Sequence, residues 1–360
     1  MSFLEELTAQ AAEQNASDIH LASGLAPRFR IDGQLCSAME RVLSAEECTA
    51  IAEELAGAEF DAIRKRGELD LAKTISGRRV RVNIYHTRGT ISIALRILAD
   101  RIPKISDLGL PPAVSMFPSY QKGIVLVTGE TGSGKSTTLA AILNEINHTR
   151  NEHIITLEDP IEYVYEPDRC LISQREIGTD TESYADGLRA ILREDPDIIL
   201  IGEMRDAETI ETALTAAETG HLVFATLHTN SAADSIDRII GAFSAARQPE
   251  IRMQLSTVLM AVLSQQLLVR RGGHGRACAC EVMIATPAIR NQIREGKTPQ
   301  MESSILTSAK EGSLTMDHCL IQMVKNGVID LDTASSAARK PENIASAFGS
   351  MRSSSEYRRI

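Results

Sequence analysis

Tryptophan is absent from this chain of 360 residues, and aromatic residues make up only 4% of it. Its cores must therefore rest on Leu, Ile, Val, Ala and Met. A surface that grips single-stranded nucleic acid by stacking bases on rings is poorly supplied. An excess of positive charge is missing too. The formal net charge is −10, from 38 Lys and Arg against 48 Asp and Glu, which argues against a broadly basic nucleic-acid binder. No apolar run approaches the roughly 18–20 residues of a membrane span, so no transmembrane segment is expected. The N-terminus, Met1-Ser-Phe-Leu-Glu-Glu-Leu7, is acidic and amphipathic, unlike a secretory leader. Cys36, Cys48, Cys170, Cys278, Cys280 and Cys319 are scattered, and no second close pair joins Cys278 and Cys280 to complete a zinc site. Reduced thiols in a cytosolic protein are the expectation.

What is present suits a folded protein of two domains. Hydrophobic residues supply 43% and charged residues 24% of the chain, enough to bury cores without staples. Residues 3–14 place Phe3, Leu4, Leu7 and Ala11 on one helical face. Pro27-Arg-Phe-Arg-Ile-Asp-Gly33 alternates and ends on an Asp-Gly turn, so it reads as a strand entering a hairpin. Ser44 opens a helix with Glu47 as its capping-box partner. Residues 79–97 alternate through Val80, Val82 and Ile84, then Ile91, Ile93 and Leu95, with a turn near Arg88-Gly89. The order α, β, α, β, β predicts a small α+β domain over residues 1–98. Pro103, Pro111, Pro112 and Pro118 then mark residues 99–118 as a linker with at most one short helix.

From Gly123 the pattern becomes buried strand alternating with helix. Four short runs, starting at Ile124, Ile154, Ile198 and Leu222, are apolar almost throughout. Such runs belong to a central parallel sheet covered on both faces, and the segments between them are long enough for helical crossovers. Beyond about residue 250 the pattern reads as mostly helical, and the Ser-, Ala- and Arg-rich tail after Lys340 reads as frayed.

The strongest chemical signal is Gly129-Glu-Thr-Gly-Ser-Gly-Lys-Ser136, a P-loop between a strand and a helix. Gly129, Thr131, Gly132, Ser133 and Gly134 would let backbone N–H groups wrap a phosphate chain, with Thr137 just inside the helix. Lys135 should reach the β- and γ-phosphates, and Ser136 should ligate Mg²⁺. Hydrolysis further needs a polarised water and charge compensation at the γ-phosphate. Carboxylates suited to that follow two later strands: Glu158 and Asp159, and then Glu203. Glu203 stands where a Walker B acid is expected, but Gly202 replaces the usual Asp one place earlier. His228 closes the next strand at its ligand-facing end and suits a γ-phosphate sensor, while His221 opens that strand. Residues 76–96 hold Arg78, Arg79, Arg81, Arg88 and Arg96 and no acid. That stretch is either a solvated basic strand face or a source of arginine fingers.

These motifs, with Glu158-Asp-Pro-Ile-Glu162 and Gly202-Glu-Met-Arg-Asp206, resemble the secretion ATPase superfamily, which powers type II and type IV secretion and type IV pili. Ser17-Asp-Ile-His20 and Arg28-Phe-Arg-Ile-Asp-Gly33 resemble its PAS-like N-terminal domain. The similarity runs over most of residues 1–335. It implies an α/β fold in which a RecA-like P-loop ATPase domain with a parallel-rich central sheet, residues 119–360, follows the small α+β PAS-like domain. It also implies Arg81 and Arg96 as fingers, with Arg79 behind them. Assembly and type II secretion ATPases of the superfamily usually carry a four-cysteine zinc module and longer N-terminal extensions. The segment Ala288-Ile-Arg-Asn291 instead resembles the AIRN motif of pilus retraction ATPases. On its residues alone it reads as an amphipathic helix with an exposed Arg. A retraction ATPase would be a homo-hexamer that binds ATP and Mg²⁺ between subunits. It would work from the cytoplasm, peripheral to the inner face of the cytoplasmic membrane, on an inner-membrane pilus platform protein and on no nucleic acid. A pilus-assembly or type II secretion ATPase is the alternative, and a RecA-like nucleic-acid translocase a further one.

Overall fold

The computed structural model describes residues 2–14, 16–31, 34–98, 101–273 and 275–356, with side chains up to residue 349. It falls into two compact units. One holds Met1–Ile102 with Pro160–Val164, the other Pro103–Asp159 with Tyr165–Ile360. No helix among the described residues is long and apolar enough to cross a membrane.

The first unit runs α1 (Phe3–Glu13), β1 (Asp18–Ala22), β2 (Arg28–Ile31), β3 (Gln34–Ser37), α2 (Ala45–Ala56), α3 (Phe60–Arg66), β4 (Glu68–Ile75), β5 (Arg78–Thr87) and β6 (Thr90–Ile97). Its sheet is antiparallel with strand order β3-β2-β1-β6-β5-β4. That is richer than the α, β, α, β, β order expected. The Asp32-Gly33 turn lies outside the described residues, but the β2–β3 hairpin that it joins is formed. Arg88 and Gly89 both adopt positive φ, 52° and 81°, the geometry of a two-residue turn whose twist matches its strands. Ser44 and Glu47 form the reciprocal capping box at the start of α2. Val80, Val82, Ile84, Ile93 and Leu95 are buried with the apolar faces of the helices. The period of the strands therefore sends Arg79, Arg81 and Arg96 to the other face.

In the second unit the proline-bearing stretch forms two short 3₁₀ helices, Ile105–Leu108 and Pro112–Ser119, rather than at most one. Val114 and Phe117 bury completely there, so this stretch is packed structure from Pro103 onward. The elements that follow are β7 (Gly123–Thr128), α4 (Lys135–Thr149), β8 (His153–Glu158), β9 (Leu171–Glu176), α5 (Tyr184–Ile191), β10 (Ile198–Ile201), α6 (Ala207–Glu218), β11 (Leu222–Leu227), α7 (Ala232–Gly241), α8 (Gln248–Val258), β12 (Leu259–Val269) and β13 (Arg276–Ile284). Five helices complete it: α9 (Pro287–Glu295), α10 (Met301–Thr307), α11 (Met316–Lys325), α12 (Leu331–Ala337) and α13 (Pro341–Glu356).

The sheet order is β13-β12-β7-β11-β10-β8-β9, parallel throughout except for β13. Every residue of β7, β10 and β11 is buried, as an interior parallel sheet requires. Two expectations fail here. The region after residue 250 is not mostly helical at its start, because β12 and β13 form a long hairpin that extends the sheet. The tail is not frayed from Lys340: α13 opens on Pro341, a residue suited to the first helical turn, and Ile344 is completely buried.

Candidate active site

Parallel strands end on one edge of a sheet, and their loops share that edge. Because β7, β11, β10 and β8 are consecutive neighbours, the P-loop, His228, Glu203 and Glu158 emerge side by side. Sequence distance alone could not have ordered them.

The P-loop is shaped by its glycines. Gly129 has φ 141°, and a Cβ on it would lie 2.4 Å from the Gln265 carbonyl oxygen and 2.5 Å from Ser133 Oγ. Gly132 and Gly134 also hold positive φ, 81° and 94°. Gly134 is the N-cap of α4 and supplies no side-chain cap, so the first N–H groups of that helix depend on another partner. Ser133 Oγ is buried and has no hydrogen-bond partner among the described residues. Lys135 Nζ donates to the carbonyls of Gly129 at 2.7 Å and Glu130 at 3.0 Å, within the rim of the loop. Ser136 in the first turn of α4 and Thr131 are exposed, and Thr137 is half-buried. An uncapped helix start, an orphaned buried hydroxyl and a buried ammonium together fit a phosphate chain. The exposed Ser136 hydroxyl fits a magnesium ion beside it.

Glu203 lies just past β10, between Arg205 and His228. Arg205 Nη2 stands 2.7 Å from its Oε2, and His228 Nε2 stands 3.3 Å from its Oε1. Burial pushes the Glu203 carboxyl up, but the Arg205 hydrogen bond and the charges of His228 and Arg205 outweigh it and hold the group below its ordinary value. Glu158 accepts from Thr156 Oγ1 at 2.7 Å and Gln174 Nε2 at 3.1 Å, and Asp159 beside it is exposed. Asn230 Nδ2 donates to Glu130 Oε1 at 3.2 Å, tying the loop after β11 to the P-loop.

Tyr184 is a residue the sequence did not flag. Burial first, then the nearby Asp159, Glu203 and Glu158 carboxylates, drive its phenol well above its ordinary pKa despite Arg205. It stays a neutral hydroxyl among acids. It also explains the atypical Walker B segment. A Cβ at Gly202 would meet Tyr184 Oη at 2.9 Å and the Leu157 carbonyl oxygen at 3.0 Å, so the tyrosine occupies the room that an acidic side chain would need.

The structure does not bring His221 to this group. It precedes β11 at the opposite edge of the sheet, about 20 Å away at ~3.3 Å per strand residue, and its Nδ1 lies 2.8 Å from the Ala216 carbonyl. A histidine at a strand's start points to helix packing, not to the ligand edge.

The arginine stretch belongs to the first unit. Register places Arg30, Asp18, Arg96 and Arg81 in one row across β2, β1, β6 and β5. Arg81 and Arg96 are therefore direct cross-strand neighbours, with guanidinium-bearing side chains 42% and 63% exposed. Arg79 shares their face, half-buried.

In the AIRN segment, Ala288 and Asn291 are exposed, Ile289 is buried, and Asn291 donates to Glu295 Oε1 at 2.9 Å and accepts from Arg294 Nη2 at 3.5 Å. Arg290 is not the exposed arginine expected. Its guanidinium donates to the carbonyls of Ser256 and Thr257, each at 2.7 Å, and to that of Ala285 at 3.0 Å. The Ser256 and Thr257 carbonyls lie at the C-terminal end of α8, where a cation is favoured. Arg290→Ala should therefore cost about 2 kcal/mol of stability, the scale of lost charged hydrogen bonds to carbonyls. Thermal denaturation checks it; an unchanged midpoint would return Arg290 to a surface role.

Comparison with known proteins agrees with this geometry. Residues 1–283 match the family described as type II/IV secretion system protein. The chain is 45% identical to the type IV pilus retraction ATPase PilT of Pseudomonas aeruginosa over 345 residues, covering 94% of this chain and 99% of that protein. It is 46% identical over 267 residues to a twitching motility protein of Neisseria gonorrhoeae, covering 74% of this chain and 71% of that one. Among solved structures it is similar to the pilus retraction motor PilT with bound ADP. The TM-score is 0.88 at 43% identity, with 95% of this chain and 98% of that one covered.

Proposed function

We propose a function from the premise that the chain belongs to the type II/IV secretion system protein family. It is a P-loop ATPase that powers retraction of a type IV pilus and so twitching motility. The observation that carries this reading is the likeness to a retraction ATPase along nearly the whole of both chains, which leaves no room for a different architecture.

The residues divide the chemistry as follows. The backbone N–H groups of the P-loop from Gly129 to Gly134 and the start of α4 hold the phosphate chain of ATP. Lys135 leaves the loop carbonyls to neutralise the β- and γ-phosphates. Thr131, Ser133 and Thr137 complete the cradle, and Ser136 would hold Mg²⁺ through its hydroxyl, where the ion would screen phosphate charge. Glu203 orients a water and takes its proton as the water oxygen bonds to the γ-phosphorus and the bond to the bridging oxygen breaks. His228 reads the γ-phosphate through its contact with Glu203, and Glu158 and Asp159 set the field beside them. His221 supports the strand from its far end. Arg81 and Arg96, with Arg79 behind, come from a neighbouring subunit and stabilise the charge of the transition state.

A site completed in trans needs a closed ring, and we assign a homo-hexamer with ATP between subunits. The motor works at the inner face of the cytoplasmic membrane on a platform protein of the pilus, with Ala288–Asn291 serving the retraction branch. Residues 1–98 then act as the PAS-like domain and 119–360 as the motor domain, joined through 99–118. Cells lacking the protein should lose twitching while carrying surplus surface pili. Bald cells would mark an assembly motor instead, and piliation with normal twitching would overturn both.

A further inference from the structure

We infer that Asp18 is a positioning residue for Arg96: it binds the Nε edge of the guanidinium and leaves the two Nη groups aimed outward for phosphate. The inference rests on the reading of Arg96 as an arginine finger and adds the group that aims it.

The geometry is specific. Arg96 Nε donates to Asp18 Oδ1 at 2.9 Å, while Asp18 Oδ2 accepts from Ser17 Oγ at 2.7 Å. Both carboxylate oxygens are thus engaged, so the carboxylate cannot swing. Among the described residues the Arg96 guanidinium forms no other hydrogen bond or ion pair, and its Nη groups remain for a ligand. A guanidinium offers two edges for paired contact with oxygen anions. Asp18 uses the Nε side and thereby selects the Nη1–Nη2 edge for the next anion.

Burial shows which partner is the anchor. The Asp18 side chain is only 12% exposed, whereas the Arg96 side chain is 63% exposed. Asp18 sits between Arg30 and Arg96 in the cross-strand row, fixed on a central strand. Burial would raise its carboxyl, but the hydrogen bonds from Ser17 and Arg96 and the charges of Arg96 and His20 hold it below its ordinary value. It is therefore an ionised anchor on a rigid sheet. A free arginine has many rotamers and loses them at each encounter with a ligand; one tethered at Nε has already lost most of them. Arg81 carries a looser version of the same device, with Asp70 Oδ1 3.9 Å from its Nε.

Steady-state ATP turnover of the full-length protein tests this, with ATP as the varied ligand. Arg96→Ala should lower kcat, and wild-type kcat in that variant would overturn the finger reading itself. Asp18→Asn should lower kcat about 10- to 100-fold, the scale of a misaimed group, with little change in KM. Adding it to Arg96→Ala should cost nothing more. If Arg96→Ala is impaired but Asp18→Asn is not, the positioning role is overturned while the finger stands. Lysine supplies the sharper arm. In Arg96→Lys the single ammonium is captured by Asp18 and cannot reach phosphate, so kcat should fall nearly as far as in Arg96→Ala. Asp18→Asn should then raise turnover in the Arg96→Lys background by releasing that ammonium. A further fall there, or wild-type kcat in Arg96→Lys alone, would overturn the proposal. Arg96 lies on the surface, so the lysine variant tests the idea even where Asp18→Asn folds poorly.

Discussion

Glu203→Gln should lower ATP turnover by about 10²- to 10⁴-fold, the usual worth of a positioned acid–base group, and leave nucleotide affinity nearly unchanged. The two effects separate because the binding surface and the catalytic group sit on different strands. On the proposed reading the phosphates sit on the loop after β7, where Lys135 Nζ bonds the Gly129 and Glu130 carbonyls and not Glu203. Glu203 stands after β10, with Arg205 at 2.7 Å and His228 at 3.3 Å. Glutamine keeps the size and loses the charge and the ability to take a proton. Steady-state turnover alongside direct binding of a nucleotide checks the split; normal turnover in the variant would remove Glu203 from the chemistry. The pH dependence carries a second check. The active form is the carboxylate, and its pKa is depressed below the ordinary 4.5. The Glu203 carboxylate therefore persists as pH falls below 4.5, while the stability it gains from Arg205, full above that value, is lost progressively as pH falls from there through the lowered one. Any loss of turnover on the acid side above that range must come from another group.

The residues that carry this chemistry differ in how visible they were beforehand, and the difference is one of range. A P-loop is a local device: glycines needed for positive φ and a lysine at fixed spacing are written consecutively, and Gly129–Ser136 was legible for that reason. The strands β7, β10 and β11 were legible because burial on both faces leaves almost no polar residue to blur them, only Thr128 and Thr226. Strand β12 is interrupted by Ser264, Gln265 and Gln266, and it follows α8 without a breaker. Its polar side chains are spent on tertiary contacts: Ser264 bonds Thr128 at 2.8 Å, and Gln265 bonds Thr138 at 2.9 Å. Polarity consumed inside a fold cannot be told from polarity facing water in a single sequence. The same limit hid Arg290, whose carbonyl partners Ser256 and Thr257 lie far back along the chain. It also hid the row Arg30–Asp18–Arg96–Arg81, which strand order alone creates. Gly202 was visible as a departure from the usual acid, but its cause, the Tyr184 hydroxyl, comes from another helix.

Arg81→Ala should lower turnover by about 10³- to 10⁵-fold, the scale of an arginine finger, with a smaller effect on ATP affinity. A solvated basic face predicts almost nothing, because exposed charges on a strand contribute little to stability or chemistry. The finger reading rests on the pairing of Arg81 with Arg96. Arg81 lies directly across from Arg96, so two guanidinium groups present one doubly charged edge. Each has an aspartate near its Nε, Asp70 at 3.9 Å and Asp18 at 2.9 Å, and both arginine side chains stay exposed. Like charges held side by side on one face repel, and Asp18 and Asp70 offset only part of that repulsion, so an anion with several negative oxygens is favoured there. The triphosphate of a neighbouring subunit is such an anion. This gives a test that a structural role cannot imitate. Arg81→Ala chains retain a working P-loop, and Lys135→Ala chains retain working fingers. Each variant alone should be nearly inactive, and mixing the two should restore part of the turnover, because some interfaces then pair an intact Lys135 with an intact Arg81. Mixing without recovery would mean that Arg81 does not act across a subunit boundary.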